Sequence, residues 1–178
     1  MLVEQPRGHD RRRPGGLACA NEGSISQSFA TGALIPSGYI NEGAGGLVGI
    51  NYGSVSQSYA TGLTMLDGYC RGAAGTPCGG AALIAINNGT ISQSFPARLV
   101  AQPVYEPIGV SRTGIIANDV YWDKDTTGAI VGGVYGGTIS AANGLTAAQM
   151  STPSWFQGYG FSATGVWVMP GELRLRRR

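Results

Sequence analysis

The sequence predicts an all-β fold: a β-solenoid of about four coils, closed at its C-terminal end by a cap that contains a short helix. Three observations predict it. The first is an internal repeat. Residues 15–32 read GGLACANEGSISQSFATG, residues 45–62 read GGLVGINYGSVSQSYATG, and residues 81–95 read AALIAINNGTISQSF. The matching asparagines Asn21, Asn51 and Asn87 lie thirty and then thirty-six residues apart, a period that belongs to stacked-repeat architectures. The second is composition: 30 glycines, 12% charged and 43% hydrophobic residues. Disorder needs low hydrophobicity and high net charge, and neither holds, so glycines that recur at fixed places read as turn residues. The third is that short apolar runs alternate with turn residues, without helical periodicity.

Taken in order, residues 1–14 (MLVEQPRGHDRRRP) are charged and aperiodic. They read as a disordered lead-in, and they hold the lone histidine, His9. Residues 15–122 are the repeats. In each unit an apolar run of strand length (47–50, 83–86) meets Asn-x-Gly (21–23, 51–53, 87–89), whose end residues suit a tight corner. A second strand starts at Ser24, Ser54 or Thr90 and passes through Ile25, Val55 or Ile91 to Phe29, Tyr59 or Phe95. Ala-Thr-Gly closes it at Gly32 and Gly62, and a third short strand over residues 37–40 returns the chain to the next unit.

Stacking such coils at about 4.8 Å puts like residues above one another. The expected ladders are Asn21, Asn51 and Asn87 at a corner, Gln27, Gln57 and Gln93, and the rings of Phe29, Tyr59 and Phe95. Amide rows hydrogen-bond along the axis and aromatic rows pack face on face. Strict alternation puts Ile25, Gln27 and Phe29 on one face. A buried glutamine is costly, so a bend near Gln27 is the alternative, and the pattern alone does not choose.

The third unit departs from the others. Ala81-Ala82 replace Gly45-Gly46, and Pro96 starts a turn because it lacks a ladder donor. The preceding coil has six extra residues in the stretch holding Cys70 and Cys78, which reads as a protruding loop. A fourth, degenerate coil is expected over residues 108–122. Residues 123–178 read as the cap. Thr146 with Gln149 three later is a capping box that starts a helix ending before Pro153. Trp155, Phe156, Phe161 and Trp167 supply apolar bulk to cover the last coil, which otherwise exposes its core and unpaired edges.

The formal charge of +2 comes from the ends. Between residues 14 and 173 only Arg71, Arg98, Arg112 and Lys124 are basic, against eight acidic side chains. The body is therefore acidic and lacks the basic face of a nucleic-acid binder. No apolar run reaches the 18 residues a spanning helix requires.

The unit G-G-L-V-G-x-N-x-G-x-[IV]-x-Q-S-Y-A-T-G resembles the GLUG-type repeats of large bacterial surface proteins, and above all of filamentous haemagglutinin-like adhesins. The tail is similar as well, through residues 121–123 (Tyr-Trp-Asp), 126–128 (Thr-Thr-Gly), 145–150 (Leu-Thr-x-x-Gln-Met) and the aromatic stretch from Trp155 to Trp167. The resemblance implies a right-handed parallel β-helix in an exported, surface-attached adhesin, so an extracellular or cell-surface location is expected although this chain carries no export signal. It also implies further coils of a longer parent protein as neighbours. The end GELRLRRR departs from the family's usual close.

Candidate chemistry is sparse. Asp123, Asp125 and Thr127 partly match a calcium loop, but Val134 stands where its bidentate glutamate belongs. The recurring Trp-Asp…Thr-Gly turn of the resembled family accounts for the same residues. Cys70 and Cys78 are a candidate disulfide, worth about 2.5 kcal/mol on chain-entropy grounds. Cys19 aligns with Gly49 and Ala85 and reads as a small buried residue. With its one histidine in the lead-in the chain assembles no Ser-His-Asp set, and neither a catalytic residue nor a cofactor is expected. The expected role is a non-catalytic adhesin or stalk module, with a host glycan or matrix protein as its partner. The rival is a polysaccharide-processing β-helix enzyme, which needs paired carboxylates or grouped basic residues on one strand face.

Overall fold

The structure is a computed structural model that describes residues 14–35, 40–41, 44–65, 70–71, 80–97, 100–101, 106–111, 113–127, 133–134 and 139–160. Strands dominate and the helices are few and short. Every strand pairing among the described residues is parallel. The first row stacks Ala18–Asn21, Val48–Asn51, Gly80–Asn87, Glu106–Ser111 and Gly133–Val134. The second stacks Ser24–Ser26, Ser54–Ser56, Thr90–Ser92 and Ile115–Ile116, and the third Phe29–Ala30, Tyr59–Ala60 and Phe95–Pro96. Shorter rows pair Ile40–Asn41 with Cys70–Arg71 and Thr64–Met65 with Val100–Ala101.

Register follows the sequence alignment. Asn21 faces Asn51 and Asn51 faces Asn87, Ile25 faces Val55 and Val55 faces Ile91, and Phe29 faces Tyr59 and Tyr59 faces Phe95. The expected strand at 37–40 is described from Ile40 onward, and residues 37–39 lie outside the described residues. Cys70 does not sit on a protruding loop: it pairs in register with Ile40, thirty residues earlier. The six extra residues therefore enter after Arg71 and before Gly80, which pairs with Ala44.

The core runs along the stack. Val48, Val55, Leu83, Ile84, Ile91 and Ile108 form one buried cluster that continues into Val120, Trp122 and Ile139. Each fully buried aliphatic side chain contributes about 1.5–3 kcal/mol. A smaller cluster joins Ile50, Ala81, Ala85 and Ile86. Cys19 is half-buried, not enclosed as expected, because it lies in the first repeat and among the described residues no repeat covers its other side.

The C-terminal end differs from the expected cap in two ways. Stacking continues past Trp122, since Gly133–Val134 pairs with the fourth repeat and Gly144–Leu145 pairs with Trp122–Asp123. The core is finished by Trp122, at 1% exposure, with Val120 and Ile139. The backbone at Gly144 lies against the indole, and a Cβ there would sit 2.6 Å from the ring. Trp155 is instead 48% exposed, and Phe161 and Trp167 lie outside the described residues. The helix Ala147–Met150 has the capping box, with Thr146 Oγ1 accepting from Gln149 N at 3.1 Å and Gln149 Oε1 accepting from Thr146 N at 2.8 Å. None of its residues is fully buried, and its contribution is Met150, which packs against the cluster of Tyr121, Leu145, Phe156 and Tyr159.

Candidate functional site

Three rows of side chains run along the stack: asparagines at the corner between the first and second strands, the glutamine bend between the second and third, and aromatic rings on the third. The asparagine corner is internal. Asn21 Nδ2 donates to Asn51 Oδ1 at 2.7 Å and Asn51 Nδ2 donates to Asn87 Oδ1 at 2.8 Å. The same amides reach Ser54 O at 3.0 Å and Thr90 O at 3.3 Å. A buried amide is tolerated only when its donors and acceptors are met, and the row meets them from one repeat to the next.

At the glutamines the chain bends. Gln27, Gln57 and Gln93 have φ of 49°, 49° and 42°, the left-handed region that costs a residue with a Cβ about 1 kcal/mol. The bend resolves the two alternatives open in the sequence, because it breaks strict alternation. Ile25, Val55 and Ile91 point inward, while the glutamines stand outside, with Gln27 Nε2 donating to Gln57 Oε1 at 3.4 Å. The next residue then points in, and Ser58 and Ser94 are fully buried.

These serines are the functional element that the sequence reading missed. Each hydroxyl donates to the carbonyl two residues earlier, from Ser28 to Ser26 O at 2.8 Å, from Ser58 to Ser56 O and from Ser94 to Ser92 O at 2.7 Å. The Ser58 and Ser94 hydroxyls also accept from the preceding repeat, Ser58 Oγ from Ser28 N and Ser94 Oγ from Ser58 N, each at 3.2 Å. A left-handed bend removes backbone groups from the ladder, and the serine hydroxyl satisfies one on each side. The available signal was the Gln-Ser pair at one offset in all three units.

Beyond the bend the aromatic residue faces out and its neighbour faces in. Ala30, Ala60 and Pro96 are buried, while Phe29 is 57% exposed and Tyr59 and Phe95 half-buried. The rings stack at 5.3 and 5.5 Å with planes 10° and 9° apart. Neighbouring rings thus cover both faces of Tyr59 and the upstream face of Phe95. Within this row Phe29 has one ring face that neither neighbouring ring of the row covers.

At the far end the row runs into the tail. Phe156 and Tyr159 lie 5.9 and 6.3 Å from the Phe95 ring and pack with Tyr121 and Leu145. Gln93 Nε2 donates to Gly158 O at 2.6 Å, and Gln157 N donates to Tyr121 Oη at 2.9 Å. Burial, and then the nearby Asp119 carboxylate and Tyr121, hold the Tyr159 phenol well above its ordinary value.

The oxygens of the candidate calcium loop are engaged with the backbone. Asp123 Oδ1 accepts from Asp125 N at 3.0 Å and Thr126 N at 3.1 Å, which caps the helix Lys124–Thr127. Asp125 Oδ2 accepts from Ala147 N at 2.9 Å, and Thr127 Oγ1 donates to Asp123 O. These contacts tie the first helix of the tail to the second. Among the described residues no three His, Cys, Asp or Glu side chains stand together. Cys78 lies outside the described residues, as does the side chain of Cys70, so the candidate disulfide does too. No described helix is long and apolar enough to cross a membrane.

Comparison with known proteins places one segment of this stack. Residues 40–64 match the family model described as the GLUG motif. That segment spans the second repeat from the strand at Ile40 through the asparagine corner and glutamine bend to Thr64, and the first and third repeats pair with it in register. The chain thus carries a GLUG motif in its second repeat. Searches of curated proteins and of solved structures return no match.

Proposed function

We propose that the repeats close into a right-handed parallel β-helix that serves as a non-catalytic stalk or adhesin module on a bacterial surface. The carrying observation is the unbroken in-register stacking of the GLUG segment on both neighbours, through the Asn, Ser and aromatic rows. Such a stack lengthens by about 4.8 Å per repeat and turns a constant side chain of each repeat into a straight external row. On the outside stand the hydroxyls of Ser24 and Ser54, 3.0 Å apart, and the glutamine amides, groups suited to hydrogen-bonding a repeating polar ligand such as a host glycan or a matrix protein. GLUG-type repeats in exported haemagglutinin-like proteins support the surface location.

The test is a glycan and matrix-protein array probed with the purified chain, run beside a reducing-end assay on the same polysaccharides. Retention on one glycan or matrix class, weakened when Gln27 and Gln57 are replaced by alanine, is the expected result. Release of reducing ends would overturn the reading in favour of a polysaccharide-processing enzyme, and an array without retention would leave the module a stalk alone.

A further inference from the structure

The dipeptide Asn-Gly occurs at 88–89, in the corner of the third repeat, and again at 143–144, in the tail. In such a pair the asparagine side chain can be attacked by the backbone nitrogen that follows it, and glycine has no Cβ to hinder the approach. The structure holds the two pairs differently. At 143–144 the reacting groups are engaged. Asn143 Nδ2 donates to Asn118 O at 2.7 Å and to Val120 O at 2.9 Å, which fixes the side-chain amide. The attacking group, Gly144 N, donates to Ala141 O, and Gly144 itself lies against the Trp122 indole.

Asn88 is half-buried, in the middle of a corner where the earlier repeats carry the exposed Glu22 and Tyr52. Its flanks are held. Asn88 N donates to Asn51 O at 2.7 Å, and Gly89 O accepts from Ile115 N at 2.8 Å and from Asn87 Nδ2 at 3.3 Å. The peptide between them is not held in the same way. Its carbonyl, Asn88 O, accepts from the exposed Thr113 hydroxyl at 3.5 Å. Among the described residues no hydrogen bond engages Gly89 N or the Asn88 side-chain amide. The corner glycines of the other repeats differ: Gly53 N donates to Asn21 O at 3.1 Å, and Gly23 N to Asn21 Oδ1 at 3.2 Å.

We propose that Asn88 is a self-modification site, at which Gly89 N attacks Asn88 Cγ and converts the asparagine to aspartate and isoaspartate. Gly89 N loses its proton to hydroxide, the bond from Gly89 N to Cγ forms, and the bond from Cγ to Nδ2 breaks. The leaving nitrogen takes up a proton and departs as ammonia, which leaves a cyclic succinimide. Water then opens the ring. Breaking the new bond yields aspartate, whereas breaking the original peptide bond yields isoaspartate, whose backbone runs through Cβ and Cγ. Water is consumed and ammonia released, and nothing is oxidised or reduced. The corner does not accommodate the second product. A Cβ on Gly89 would already lie 1.9 Å from Gly53 O, so a lengthened backbone cannot keep Gly89 stacked there and still receive Ile115 N. Modification at Asn88 therefore loosens the third repeat from the second and from the fourth.

The test follows the full chain through incubation in mildly alkaline buffer, once folded and once in urea. Mass-spectrometric peptide mapping reads both dipeptides, and a melting curve is taken from the folded sample at each time. In urea the two should convert at similar rates. In the folded chain Asn88 should convert at least about tenfold faster than Asn143, whose side chain and following nitrogen are tied by hydrogen bonds that must open first. The melting temperature should fall by about 4 °C or more as isoaspartate accumulates. An Asn88→Gln variant, whose longer side chain closes the ring far more slowly, should keep both its mass and its melting temperature. Equal rates at the two folded dipeptides would overturn the proposal, as would an Asn88 that stays intact when folded yet converts in urea. Conversion of Asn88 without a fall in melting temperature, or the same fall in Asn88→Gln, would overturn its effect on the stack.

Discussion

Ile25 and Val55 occupy one register position, yet Ile25 is only partly buried while Val55 is 1% exposed. Phe29 and Tyr59 differ in the same way: Phe29 is largely open, and Tyr59 is stacked between two rings. The residues are nearly the same and the backbone is paired in parallel, so the difference lies in neighbours alone. In this chain a side chain's burial is a property of the repeat above and the repeat below. Stability should therefore behave as a sum of interfaces between repeats, and equal substitutions in the two repeats should have unequal effects.

The largest contrast is a charge at this position. Val55→Asp places a carboxylate in the middle of the core with no partner, which costs about 4 kcal/mol or more. Strand circular dichroism and the cooperative thermal transition should both be lost. Ile25→Asp, at the open end, should keep both and melt a few degrees lower. Equal losses in the two variants would show that the repeats unfold as one block.

Next comes the asparagine corner. Asn51 accepts from Asn21 and donates to Asn87, so Asn51→Ala strands buried partners on both sides and should cost about 2–4 kcal/mol. Asn21→Ala strands a partner on one side only, and its loss should be about half as large. Urea titration of the two variants gives the comparison directly, and a larger loss for Asn21 would contradict it.

How much of this was legible follows from what a repeat can encode. Period, register and the like-on-like rows are written in the sequence, because identical residues at a fixed spacing must stack if the units stack at all. The direction of a row is not written. Alternation puts Ile25, Gln27 and Phe29 on one face and a bend at Gln27 is the alternative, and only the left-handed bend at the glutamine shows that Gln27 and Phe29 face out and that the serine after the glutamine turns in. Neither is the closure of the end. Trp155 and Trp122 are equally apolar in the sequence, but Trp122 lies in a strand that packs on the core while Trp155 ends a short helix at the surface, so Trp122 becomes the plug. Cys70 was misplaced because an insertion of six residues has no position until strand pairing sets one.

The capped end offers a contrast of smaller size. Burial and the Asp119 charge raise the Tyr159 pKa in the folded chain, so the unfolded chain ionises first. The associated stability is complete below the ordinary tyrosine value of 10.0 and is lost as pH rises from there toward the folded value. The slope is at most about 1.4 kcal/mol per pH unit. Alkaline melting curves should steepen this loss above pH 10, and Tyr159→Phe should remove that share of it while leaving acid behaviour unchanged. An unchanged alkaline slope in the variant would separate Tyr159 from the effect.

The smallest effect tests the interior of the second repeat against its own neighbours. Thr64 is 1% exposed, and its hydroxyl has no hydrogen-bond partner among the described residues. Its register partners are Leu34 in the first repeat and Val100 in the third, so the row is otherwise apolar. Valine has nearly the shape of threonine without the desolvated oxygen, and the branched Cβ suits a strand equally well. Thr64→Val should therefore stabilise the chain by about 1 kcal/mol, seen as a rise of about 2–4 °C in melting temperature. The change in the opposite sense, Leu34→Thr in the partly open first repeat, should lower it by less, since water reaches that position. A drop in melting temperature for Thr64→Val would mean that the hydroxyl is paired in the folded chain.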